Sequence, residues 1–247
     1  MRGGQKPDAF PAKIAGRVRS RSGHADPVRV SLRALSMNCL RLSAFFALSL
    51  PPFASAAEPL YANDFQSAEV GKTPKDFLVI SGAFTVQQDG ANKVLELPGE
   101  PLDTFGALFG PTEKDGLSVS ARFFGTKTGR KFPAFGLSVN GAGGWRLQVS
   151  AAKKALEIFK GDDSRISVPF EWTSGAWTSL RIQVRKTPAG SWVVEGKAWL
   201  SANAEPQKPS IALEEKDAPS AGRPGIWGSP FSGTPIRFDD LLIVPAS

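Results

Sequence analysis

From Tyr61 onward, apolar and polar residues alternate in short runs, and turn residues interrupt the runs roughly every 8–12 positions. A period of two is the signature of a strand with one face buried and one face wet. Leu117, Val119, Ala121 and Phe123 alternate with Ser118, Ser120 and Arg122. Phe135, Leu137 and Val139 alternate with Gly136, Ser138 and Asn140, and Gly141-Ala142-Gly143-Gly144 then turns the chain. Trp145, Leu147 and Val149 follow in the same way, and so do Leu156 and Ile158 before the Gly161-Asp162-Asp163 turn. Leu180, Ile182 and Val184 form the next set. After Pro188-Ala189-Gly190 come Trp192, Val194, Ala198 and Leu200, and a last strand is expected over Ile236–Val244. Residues 201–225 read as an irregular excursion with one short strand, Ser210–Leu213. No stretch after residue 57 combines helical apolar spacing with caps. The 25 Gly and 20 Pro fit a turn-rich chain. The pattern predicts an all-β fold of two packed antiparallel sheets.

In such a sandwich the inner faces take the apolar set and the outer faces meet water. The alternation therefore turns Arg122, Arg146, Gln148, Arg181, Gln183, Glu195, Lys197 and Trp199 away from the core. If the wet face is concave, these side chains line one groove with guanidinium and amide donors and an indole. Six tryptophans follow residue 57. Trp145, Trp177 and Trp192 fall in with the apolar set or begin a strand, so packing explains them. Trp199 is placed for stacking on a sugar, with Trp172 and Trp227, both expected on loops, as second choices.

The formal charge of +7 is unevenly placed. Residues 1–57 hold nine Lys or Arg against two acidic residues, whereas 58–247 hold twenty-one of each sign. The later region lacks the basic footprint of a nucleic-acid binder. His24 and Cys39 also precede residue 58, so nothing after it can use histidine or cysteine chemistry.

Residues 37–57 read as a signal peptide. Arg41 supplies the positive start, Leu42–Leu50 a short apolar run, and Ala54-Ser55-Ala56 a small-x-small cleavage signal near Ala56/Ala57. The apolar run is far below the ~20 residues of a spanning helix, so no transmembrane anchor is expected. The implied destination is the periplasm or the exterior. Residues 1–36 read either as a basic disordered arm or as an extension upstream of a true start at Met37. Residues 58–247 are then one domain.

Several short motifs resemble secreted concanavalin A-like (laminin-G-like) jelly-roll domains. Asp64-Phe65 with Gly71-Lys72-Thr73-Pro74 and Gly82-Ala83-Phe84-Thr85-Val86 is similar to their opening. Gly175-Ala176-Trp177-Thr178-Ser179-Leu180-Arg181-Ile182 resembles a central strand, and Lys197-Ala198-Trp199 with Glu205-Pro206 resembles the step after it. Gly222-Arg223-Pro224-Gly225-Ile226 with Ile236-Arg237-Phe238-Asp239-Asp240 resembles the close. The likeness spans about residues 60–245 and departs at Phe84, where Trp is frequent. It implies a jelly-roll sandwich with the first and last strands side by side. That would bring Asp64 near Asp239 and Asp240, which could share a structural calcium or else serve solvent and backbone amides.

The superfamily includes lectins, glucanases, adhesive modules and 3-keto-disaccharide hydrolases. The glucanase branch carries Glu-x-Asp-x-x-Glu or Glu-x-Asp-x-Glu on a strand. Here Glu113-Lys114-Asp115 and Glu214-Glu215-Lys216-Asp217 lie in turn or loop sequence. A distant carboxylate pair such as Glu157 and Glu195 is left as the route to a glycoside-cleaving enzyme. The expected function is an exported, non-catalytic module binding carbohydrate or another extracellular or cell-surface ligand. Its alternatives are a sugar-cleaving hydrolase and a structural adhesion domain with a protein partner.

Overall fold

The computed structural model describes residues 58–99, 103–114 and 116–246. The expected signal peptide and the basic stretch before it lie outside those residues. Fifteen strands follow one another among the described residues: β1 (Tyr61–Asn63), β2 (Leu78–Ser81), β3 (Thr85–Asp89), β4 (Asn92–Leu97), β5 (Phe105–Leu108), β6 (Leu117–Phe124), β7 (Ala134–Val139) and β8 (Trp145–Ser150), then β9 (Ala155–Lys160), β10 (Asp163–Pro169), β11 (Thr178–Lys186), β12 (Trp192–Leu200), β13 (Ile211–Glu215), β14 (Gly225–Ser229) and β15 (Ile236–Pro245). One turn of 3-10 helix, Ala151–Lys153, precedes β9. The architecture is all-β, as the alternation predicts.

The strands form two antiparallel sheets. The first runs β13-β12-β11-β6-β15-β4-β3, with β1 also pairing to β15; the second runs β10-β9-β8-β7-β14-β5-β2. The ten-residue β15 pairs with β6 along one side and is shared by β4 and β1 along the other. The first and last strands thus lie side by side, with Asn63 opposite Leu241.

The inner faces meet through the apolar set that alternation picks out. Leu117, Val119, Ala121 and Phe123 of β6 are buried, as are Phe135, Leu137 and Val139 of β7. Phe123 stacks on Phe135 at 5.1 Å between ring centroids, tying the two sheets together, and Phe238 meets Phe123 edge-on at 5.4 Å. Such aromatic pairs contribute ~0.5–1.5 kcal/mol beyond the area they bury. Trp145 and Trp192 are buried in this core, as expected. Trp177 is not: it sits half-buried against Phe124 at 5.6 Å, at the outer side of the first sheet.

The sheets approach tightly at Gly196 of β12. A Cβ there would lie 2.4 Å from Cδ1 of Leu147 and 2.8 Å from Cγ2 of Ile211. Gly196→Val should therefore overpack the core and destabilise the fold by ~1–3 kcal/mol. A urea titration should show a lower midpoint with an unchanged slope. An unchanged midpoint would mean that the sheets are not in contact at this point.

Candidate functional site

Strand register sets the outer face of the first sheet as a lattice. Trp199, Ser179, Arg122 and Asp239 stand side by side across β12, β11, β6 and β15. The next row is Lys197, Arg181, Ser120 and Leu242, and the row after it is Glu195, Gln183, Ser118 and Val244. Short serines occupy the middle of each row, so the face is hollowed along its centre. Two adjoining cavities of about 520 and 640 Å³ result, both bordered by Arg181 and Leu242. Asn63, Asp64, Arg122, Ser179, Trp199 and Asp240 line the first. Gln183, Glu195, Lys197 and Glu205 line the second, with Gln207 and Pro209 from the irregular segment after β12 as its wall.

The charges on this face are paired. Arg122 lies 2.9 Å from Asp239 and 2.7 Å from Asp240, and its guanidinium covers the Trp177 ring at 5.1 Å. Glu205 reaches back over the sheet to Arg181 at 3.0 Å and Lys197 at 2.9 Å. Glu195 accepts from Arg185 at 2.9 Å and from Gln183 at 2.8 Å. These bonds hold the donors in fixed orientations, which lowers the entropy lost when a ligand is bound. The hydrogen bond from Arg185, helped by that from Gln183, keeps the Glu195 carboxyl below its usual range despite partial burial. Burial pushes Asp239 above its usual range, offset by the bonds from Asn92 and the Asp240 N–H.

The eight residues expected in one groove, and Glu157 set with Glu195 as a carboxylate pair, do not share one. Arg122, Arg181, Gln183, Glu195, Lys197 and Trp199 stand together on the first sheet. Arg146 and Gln148 belong to β8 and Glu157 to β9, both in the second sheet, and they point out from the opposite side of the sandwich. Alternation assigns a side chain to an outer face but does not say of which sheet. Glu157 is also enclosed: it is 3% exposed and bonded by Ser150, Lys153 and Ser164. Two sheets lie between Glu157 and Glu195, so they cannot flank one glycosidic bond, and that catalytic pair is excluded.

The carboxylates of the suggested calcium set are engaged by the protein itself. Asp64 and Asp240 border the same cavity, but Asp64 accepts from the Gln66 N–H at 3.1 Å, and Arg122 takes the place of a cation between Asp239 and Asp240. No cluster of three or more acidic, His or Cys residues able to hold a metal occurs among the described residues.

Of the tryptophans considered for stacking, Trp199 lines the groove as expected. Trp172 packs against Phe135 with ring centroids 6.1 Å apart. Trp227 is not on a loop; it lies in β14, on the outer face of the second sheet. Sequence reasoning missed Trp177 and Glu205 as parts of the first face. The pairing of Lys197 with Glu205 had one signal, the spacing of Lys197-Ala198-Trp199 and Glu205-Pro206.

No protein-family model matches the chain, and no curated protein matches its sequence. Solved structures do match. The metal-free carbohydrate recognition domain of Emp46p is similar with a TM-score of 0.52 and 11% identity, over 78% of this chain and 99% of that one. A galectin-like-fold protein of unknown function from Bacillus subtilis gives 0.51 and 13%, over 77% and 98%. The marine PL-14 alginate lyase from Aplysia kurodai gives 0.50 and 11%, over 76% and 100%. At these identities the likeness extends to the fold alone: a lectin-type jelly-roll sandwich, in keeping with a concanavalin A-like one.

The paired carboxylate makes a pH prediction. A Glu195 carboxyl lowered by Arg185 contributes stability that is present above the ordinary glutamate range and lost as pH falls through its lowered folded value. Because the pair is partly exposed, the contribution is at most ~1 kcal/mol. Melting curves of Glu195→Gln should lack this part of the acid-side decline shown by the parent protein. An identical decline in both would show that the bond is not made in solution.

Proposed function

We propose that the chain is an exported, non-catalytic module that binds carbohydrate in the outer groove of the first sheet. The observation that carries the reading is the hollow at Trp199, where an indole stands beside Ser179, Arg122 and Arg181 in a cavity of about 520 Å³. An indole offers an apolar face with a polar tip, suited to the C–H side of a sugar ring. The fixed guanidinium and hydroxyl groups beside it suit the ring's hydroxyls.

The similarity to a structure named as a carbohydrate recognition domain supports the reading. Export rests on the signal-peptide pattern of residues 37–57, and the binding module on residues 58–247 as one domain. Glu195, held as a carboxylate by Arg185, is unsuited to donate a proton to a leaving group.

Polysaccharide pull-down and glycan-array binding with the full chain test the reading. Trp199→Ala should weaken binding by about tenfold or more, the loss expected of a central aromatic contact, with an unchanged melting temperature. Binding that survives the substitution, or a parent protein that retains no glycan, would contradict it.

A further inference from the structure

The outer face of the second sheet carries an arginine unlike those of the groove. Arg122, Arg181, Arg185 and Arg237 each have a carboxylate partner within 3.2 Å. Arg146 has none among the described residues. Its guanidinium lies between two aromatic rings, 4.9 Å from the centroid of Phe159 and 5.4 Å from that of Trp227, and its Nε is buried with no hydrogen-bond partner. The acidic residues nearby do not answer it. Glu157, two residues from Phe159 on the same strand, is turned to Ser150, Lys153 and Ser164, and Asp162 acts only as a distant charge.

The surroundings hold this arrangement in place. The six-membered ring of Trp227 lies on Gly106, where a Cβ would come within 2.5 Å of Cζ3, and its Nε1 donates to Ser138 Oγ at 2.8 Å. The glycine leaves room for the ring, and the hydrogen bond fixes its rotation. Register places Arg146 of β8 opposite Ser138 of β7 and Phe159 of β9, whereas Trp227 of β14 stands opposite Gly136, so the indole leans diagonally across β7, past Ser138, to reach the guanidinium. Desolvated but uncompensated positive charge between two rings is costly alone and favourable once an anion arrives.

We propose that this face is a second binding surface, for an acidic polysaccharide: Arg146 takes a carboxylate or sulfate of the polymer while Trp227 and Phe159 pack against the adjoining sugar rings. The site is separate from the groove and does not rest on it.

Affinity electrophoresis of the full chain through gels containing polygalacturonate, dextran sulfate or neutral dextran tests the proposal. The parent protein should be retarded by at least one acidic polymer, with the retardation falling as salt rises; which polymer acts identifies the acidic group. Arg146→Gln should weaken this binding by about tenfold or more, the loss expected for a charge-assisted hydrogen bond. Arg146→Lys, which keeps the charge but not the stacked plane, should fall between the two, and serves if the glutamine variant does not fold. Trp199→Ala, in the groove, should leave the retardation unchanged. Passage of the parent protein through both acidic gels without delay would overturn the proposal, as would a folded Arg146 variant delayed as much as the parent.

Discussion

The contact between the two inner faces governs everything else in this molecule. Phe123 of one sheet stacks on Phe135 of the other, and buried residues from both sheets close around them. Each strand gives every second residue to that contact, so the remaining residues can only go outward. A shift of one residue in any strand would exchange the two sets. The polar chemistry is therefore divided between two faces that cannot meet, with the core between them.

The faces differ in how their charge is managed. On the first sheet, arginines and lysines are answered by Asp239, Asp240, Glu195 and Glu205, so the groove is lined by oriented donors with little uncompensated charge. Glu205 comes from the irregular segment after β12, so the segment both walls the groove and orders its floor. On the second sheet, Arg146 is stacked rather than paired. One face suits a ligand of hydroxyl groups, the other a ligand that brings negative charge.

Much of this was legible in the sequence. The parity of Leu117 to Phe123, Leu180 to Val184 and Trp192 to Ala198 placed those side chains in the core, and the motifs near Asp64 and Asp239 placed the end strands together. Parity also turned Arg122, Arg181 and Trp199 outward. What parity lacks is the identity of the sheet, which depends on pairings between residues far apart in the chain. Arg146, Gln148 and Glu157 look equivalent to Arg181, Gln183 and Glu195 along the chain and end on the other side of the protein. Trp227 sits in the short, glycine-bearing strand β14, whose composition reads as loop; only the strands on either side make it sheet. The ion pairs between Arg122 and Asp239 and between Arg181 and Glu205 were hidden for the same reason.

The division into opposed faces is open to a direct distance measurement. Spin labels attached at positions 183 and 148, in a full chain with Cys39 replaced by Ser, can be read by double electron–electron resonance. With two sheets ~10 Å apart and both labels pointing outward, the separation should be roughly 25 Å or more. A separation below about 15 Å would place Gln183 and Gln148 on one face and contradict the account at its base.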